Sequence, residues 1–175
     1  MSVGFVRTVA VCLFFAAAVS APARAATRDE TEKAKIEKVI RTSIEWALTK
    51  DLSALFECFA QDSDFFIFHP DSKSTIEGFG AFRQLAEGIF MSPKFKALDS
   101  QIRDVRVQLS KSGDAAWYSA YLDDHGEWDG KKTGWDDARW TGVLEKRKGK
   151  WVIVQMHFSL ASDLVRAAAA KADSK

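Results

Sequence analysis

RWTGVLEKRKGKWVIVQMHFS, Arg139–Ser159, is the stretch whose reading decides the fold. Its β-branched and aromatic residues lie on both sides of the basic run Lys146–Lys150 with its single glycine, so it predicts two strands joined by a tight turn. Strict alternation along the second strand puts Trp151, Ile153, Gln155, His157 and Ser159 on one face. Val152, Val154, Met156 and Phe158 fall on the other, which reads as core. Polar character on the first face grows toward Ser159, as in a strand that runs out of packing into a cavity mouth.

Upstream of this hairpin the pattern is helical first and then β. Ile36, Ile40, Ile44, Ala47 and Leu48 recur at three- and four-residue steps and predict an amphipathic helix over 31–50. Asp51 is placed to cap a second, short helix carrying Leu55, Phe56 and Phe59, with Cys58 as a small core residue. Phe65–His69 reads as a strand stopped by Pro70. Gly78 precedes a third helix with Phe79, Phe82, Leu85, Ala86, Ile89 and Phe90 on its period and Pro93 beyond its end.

From there the chain turns to sheet. Val105, Val107 and Leu109 alternate with polar residues, Ser112-Gly113-Asp114 makes a hairpin turn, and strands follow over 115–122, 138–146 and 151–159. Between them, 123–137 is polar and contains glycine, so a protruding hairpin end is expected. Helix, helix, strand, helix and four strands make an α+β domain, three N-terminal helices packed on a curved, mainly antiparallel sheet with a concave end. Small-molecule sites commonly occupy such a mouth.

The first 25 residues have the parts of a secretory signal: Arg7, an apolar run over 8–19, and Ala23-Arg24-Ala25 as a small-x-small site, with cleavage expected before Ala26. The apolar run is shorter than the roughly 20 residues of a membrane-spanning helix. The expected mature protein is secreted to the bacterial periplasm and leaves the membrane after cleavage. Loss of Arg7 and Arg24 leaves 23 basic residues against 24 acidic ones, a net charge of −1, which gives no reason to expect nucleic acid as a partner. Cys58 becomes the sole cysteine, so stability rests on packing rather than an intrachain disulfide. A domain over 26–160 and a fraying helical tail over 161–175 complete the division.

Arg139-x-Thr141, the aliphatics Val143 and Leu144, Gly149-Lys150-Trp151 and His157-x-Ser159 together resemble the SnoaL-like branch of the nuclear transport factor 2-like superfamily, a cystatin-like cone. They are similar also to the last strands of the association domain of calmodulin-dependent kinase. Asp51-Leu52, Phe59-Ala60-x-Asp62, His69-Pro70 and Gly78 agree with it upstream. The resemblance covers residues 30–160 and implies a fold that hosts isomerases, cyclases, dehydratases, binding proteins and oligomerisation modules, and a homodimer through the exposed sheet face. Many relatives end in His-x-His-x-Ser, whereas this chain has Gln155 in place of the first histidine, so a two-histidine site on that strand is absent.

Three residues are candidates for catalysis. His157 titrates near neutrality and could move a proton or orient a ligand, or else hydrogen-bond within the sheet. Arg139, flanked by Trp140 and Thr141 in a strand, could pair with an acid, stack on a ring or meet an anionic ligand. His69 takes the position that, by the resemblance to ketosteroid isomerases, holds an aspartate base before a proline; Tyr118 or Tyr121 could supply a phenol and Asp62 or Asp64 an acid. Tyr118, Tyr121, Trp140, Gln155 and Ser159 are the candidates for lining a ligand pocket, the remaining tryptophans being core or dimer face.

Asp123–Glu127 is acidic, but its spacing fails the calcium-loop template, and no zinc, phosphate-loop or Ser-His-Asp pattern is present. No metal and no cofactor is therefore expected. The expected function is the binding of a small, partly apolar molecule, with isomerase- or dehydratase-type proton transfer as its enzymatic form. The alternative is a non-catalytic homo-oligomerisation or accessory module. A binder or enzyme predicts a cavity of roughly 300 Å³ or more with convergent polar groups.

Overall fold

The chain is described by a computed structural model, which covers residues 21–162. Residues 1–20, which hold most of the signal expected over 1–25, and the expected tail beyond residue 162 lie outside the described residues. Helix α1 spans Ala21–Thr49 and so runs through the expected cleavage point at Ala25. Ile36, Ile40, Ser43 and Trp46 form its buried stripe, while Ile44 and Ala47 flank it and Leu48 is exposed. The helix packs across the sheet against its first long strand and its last one. It ends at Lys50, whose φ of 54° reverses the chain, and Asp51 donates its backbone N–H to Trp46 O at 3.4 Å.

Asp51 then caps α2, Leu52–Glu57, by accepting the backbone N–H of Ala54. Cys58 follows, buried, with its thiol pushed up to about 12 by desolvation. Strand β1, Phe66–Phe68, is shorter than expected, and a two-residue strand β2, Ile76–Glu77, pairs with it antiparallel. The sequence shows no sign of β2 because two residues carry no periodicity. Helix α3, Phe79–Leu85, opens into a wider π turn over Ala86–Phe90. Its rings Phe79 and Phe82 join Phe56, Phe59 and Phe65 in a cluster of mostly edge-to-face contacts, with Phe59 and Phe82 centroids 4.8 Å apart.

Four long strands follow: β3, Phe95–Leu109; β4, Ala115–Trp128; β5, Lys131–Arg147; and β6, Lys150–Ser159. The sheet order is β2-β1-β6-β5-β4-β3, antiparallel throughout except where β1 runs parallel to β6. The expected α+β cone is thus the fold observed. Segment 123–137 is a hairpin end, but its ladder continues to Trp128 and Lys131, with the turn confined to Asp129-Gly130. Most polar residues there, Asp123 and Glu127 among them, continue the strands on the outward side of the alternation, while Asp124 lies on the inner side.

The sheet curves because its ladders are interrupted. Register shifts fall between Ala97 and Asp99, between Arg103 and Arg106, between Leu122 and Asp124, and between Val143 and Leu144. Each extra residue bends the strand and sharpens its twist. The last shift matters most for the candidate site. Val143 pairs with Gln155 and Leu144 with Ile153, which leaves Val154 as an extra residue. Trp151 and Ile153 therefore share the buried, helix-facing side with Met156 and Phe158, whereas Gln155, His157 and Ser159 turn to the outer face. This corrects the strict alternation expected from the sequence.

Around the bulge the packing is close. Gly142 lies under the ring of Tyr118, and a Cβ on it would meet the Tyr118 ring and Gln155 O at 2.6 Å. The β5–β6 turn uses Lys148 and Gly149, with φ of 50° and 81°, the left-handed pair that a two-residue hairpin requires. Glu32 ties α1 to this hairpin by accepting Lys146 Nζ at 2.6 Å and Trp151 Nε1 at 2.7 Å. With Lys35 added, these donors hold its carboxyl down at about 2.

Candidate functional site

A cavity of about 290 Å³ lies between the helices and the far ends of the sheet strands. One wall comes from α1 through Ser43–Ala47, another from α3 and the π turn through Phe82, Leu85 and Phe90. The rest is sheet: Ile67 and His69 from β1 and its end, Met156 and Phe158 from β6, Trp135 from β5 and Asp124 from β4. The lining is mainly apolar, and it contains no lysine or arginine. Its ionisable members are His69, Asp124 and His125.

His69 is half-buried at the end of β1, where Pro70 stops the strand. Its ring stacks on Phe158, with centroids 5.4 Å apart and planes at 22°, and lies 5.7 Å from the ring of Trp135. Trp135 and Phe158 in turn stand 5.2 Å apart, so the three rings form one continuous patch of wall. Burial pushes the imidazole below its ordinary value and favours the neutral form. Neutral imidazole offers one donor and one acceptor nitrogen to a bound molecule.

Asp124 stands directly opposite Trp135 in the β4–β5 ladder. Unbroken alternation from Leu122 puts Asp124 on the helix-facing side, and the extra residue of β5 between Trp135 and Ala138 turns Trp135 to that side opposite it. Asp123 points outward to Arg103 and accepts its guanidinium at 2.9 Å. The Asp124 carboxylate has no hydrogen-bond partner and no cation within ion-pair distance among the described residues. Burial raises its carboxyl above the ordinary range, with the nearby Asp99 acting the same way and His125 opposing. The sequence reading placed this residue in a solvated hairpin end. The signal that could have found it was the pair Asp123-Asp124, of which alternation must turn one inward.

His125 is the outer neighbour. Its Nδ1 lies 2.8 Å from Asp99 Oδ1 and its Nε2 2.8 Å from Asp136 Oδ1, so two carboxylates from β3 and β5 clasp one ring. Both raise its pKa, and the imidazolium is matched by charges already present. Among the described residues, no three His, Cys, Asp or Glu side chains converge to hold a metal ion.

Of the residues singled out from sequence, the fold brings only His69 into this cavity. His157, Gln155 and Ser159 lie on the outer sheet face, where His157 has its ring 5.3 Å from the exposed Phe68. Arg139 is exposed between Tyr121 and Ser159 in the ladder and forms no ion pair among the described residues. At the surface, solvation replaces the partner its sequence context demanded. Tyr121 shares that outer face and lies under the Arg103 guanidinium. Tyr118 and Trp140 are core: the two rings meet edge to face at 5.1 Å, and Trp140 stacks on Phe158 at 5.7 Å. Tyr118 Oη and Trp140 Nε1 are buried without a partner among the described residues, and burial drives the phenol well above its ordinary value. Asp62 is engaged by Arg147, which lowers its carboxyl and occupies it away from the cavity.

Residues 36–163 match the SnoaL-like domain. This chain belongs to the SnoaL-like family. Solved structures agree on the fold. An NTF2-like protein with a cystatin-like fold from Novosphingobium aromaticivorans is 17% identical, with a TM-score of 0.62 over 83% of this chain and 93% of that one. The association domain of C. elegans CaMKII is 20% identical, with a TM-score of 0.57 over 76% of this chain and 98% of that one. An NTF2-like superfamily protein from Salmonella enterica serovar Typhimurium is 17% identical, with a TM-score of 0.61 over 77% and 94%. No curated protein matches this SnoaL-like chain. Identities this low speak to the fold, and the family hosts many chemistries on it, so the function has to be argued from the cavity.

Proposed function

We propose that this SnoaL-like domain binds a small, largely apolar molecule in the cavity beneath its helices, and that His69 is the group able to exchange a proton with it. The observation that carries this reading is the pairing of a neutral imidazole and an unpartnered carboxyl in one mainly apolar enclosure. Both side chains offer polar atoms to the enclosure that no other group among the described residues occupies, which gives it capacity for a ligand. In the enzymatic form, His69 would act as base and then acid within one isomerase- or lyase-type turnover, with Asp124 orienting the bound molecule. His157 and Arg139 lie outside this scheme.

Ligand screening by thermal shift tests the reading. A ligand at a hundredfold excess over its dissociation constant adds about 2.7 kcal/mol of stability. Binders should lose their effect in Phe82→Trp, which fills the cavity, and any turnover should vanish in His69→Phe. A broad panel of small apolar compounds that never raises the midpoint would sink the proposal.

A non-catalytic, homo-oligomeric role is the second reading, and one surface favours it. Phe68, Trp117, Tyr121 and Val143 are exposed large side chains on the outer sheet face, Trp117 at 50%. A homodimer through this face would cover them, and sedimentation of wild type against Trp117→Lys reads that directly. Export to the periplasm remains part of the proposal, resting on Arg7, the apolar run over 8–19 and Ala23-Arg24-Ala25. Mass spectrometry of the exported protein should show a mature chain starting at Ala26.

A further inference from the structure

We infer that the cavity selects an organic cation, a quaternary or protonated amine on an apolar body, held by Asp124 against the rings of Trp135 and Phe158. This rests on the binding function proposed above and names the ligand class of that site. Three observations converge on it. Asp124 carries the cavity's unmatched acidic group, with neither a hydrogen bond nor a paired cation among the described residues. No lysine or arginine side chain lines the enclosure, and the one cationic ring that does, His125, is already clasped by two carboxylates. Aromatic rings surround it, and Trp135, directly across the ladder from Asp124, places the best ring for a cation beside the carboxylate.

The other charges at this end do not supply the missing partner. His125, next to Asp124 on β4, is clasped by Asp99 from β3 and Asp136 from β5, so its positive charge is already spent on two carboxylates. His69, facing the cavity from the end of β1, is held neutral by burial and does not repel a cation. Lys50 is occupied by the carbonyls of Ser92 and Phe95 at 3.1 and 2.9 Å. An entering ammonium group would meet a carboxylate and ring faces in a partly desolvated space, where both attractions are stronger than in water. A ligand that offers only a carbonyl would instead need Asp124 protonated.

Phenyltrimethylammonium and tert-butylbenzene have nearly the same shape and differ in charge, so they separate the alternatives. At pH 8 the cation should bind the wild-type protein at least ten-fold more tightly, read by tryptophan fluorescence or NMR shifts. Asp124→Asn should abolish that preference by weakening binding of the cation, with a native circular dichroism spectrum and cooperative unfolding showing that the variant is folded. Calorimetry over the acidic range above pH 3.8, in buffers of different ionisation enthalpy, should register proton release on binding of the cation. Equal affinity of the two probes in wild type, preference unchanged in Asp124→Asn, or proton uptake would each overturn the inference while leaving an apolar binding site intact. Failure of both probes to bind would count against the binding function itself.

Discussion

The ring of His69 lies 5.7 Å from that of Trp135, although β1 and β5 are not neighbours in the sheet. Phe158 of β6, the strand between them, stacks on the first and tilts against the second. The triangle forms because the extra residue of β5 between Trp135 and Ala138 brings Trp135 to the side on which Phe158 lies. It also sets the titration of the histidine, since the imidazole has rings for neighbours where it would otherwise have water.

NMR titration should therefore separate two histidines. His69 should titrate below 6.5, because burial disfavours its charged form, and His125 above it, because Asp136 and Asp99 stabilise the imidazolium. Between its folded value and 6.5, His69 binds fewer protons in the folded state than in the unfolded one. Its contribution to stability is therefore lost as pH falls through that window. His69→Phe should flatten that slope, and a His69 resonance titrating above 6.5 would contradict the burial argument.

Asp124→Asn should stabilise the ligand-free protein. The carboxyl has a raised folded pKa, so the folded state binds the extra proton between 3.8 and that value, and stability declines as pH rises through it. Above it the isosteric amide removes a poorly solvated charge, for a gain of about 1 kcal/mol in urea unfolding at pH 8. At pH 3 the gain should disappear. A loss of stability at both pH values would show that Asp124 has a structural partner.

Gly142→Ala tests the packing at the bulge. The new methyl would stand 2.6 Å from both the Tyr118 ring and the Gln155 carbonyl oxygen, and the latter belongs to paired backbone. Relief requires β6 to shift, so about 2–3 kcal/mol of destabilisation is expected in chemical unfolding. Alanine at Gly88, where the added carbon meets nothing within 4 Å, is the matched control and should be tolerated.

Glu32→Gln should weaken the attachment of α1 to the β5–β6 hairpin. Its carboxyl is held at about 2, so its contribution is complete above 4.5 and is lost as pH falls toward 2. An expected loss of about 1–2 kcal/mol at pH 7 follows from charge-assisted bonds that solvent partly screens. Wild type and variant should converge near pH 2. Parallel curves across that range would assign the effect to something other than the ion pair.

Fold and site were unequally legible in the sequence. The stripe of Ile36 and Ile40, the Asp51 cap, the Pro70 and Gly78 punctuation and the basic turn at Lys148-Gly149 are local features whose physics acts within a few residues. They place the helices and strands with little help from the rest of the chain. Arg139 read as a buried charge because Trp140 and Thr141 flank it, yet alternation puts it on the exposed face. His157 read as cavity-facing because a strict two-residue period was carried across a strand that contains a bulge.

The sequence by itself determined the α+β cone and the order of its elements, because periodicity, caps and turn residues are properties of neighbouring side chains. Tertiary structure alone decided the site. A one-residue insertion in a ladder reverses which side chains face inward, and whether the ladder accommodates one depends on the partner strand rather than on the strand's own residues. The bulge at Val154 split Trp151 and Ile153, which face inward with Met156 and Phe158, from Gln155, His157 and Ser159, which face outward. Alternation from Leu122 put Asp124 within, and the extra residue of β5 brought Trp135 beside it, where His69, distant in sequence, already faced the same enclosure.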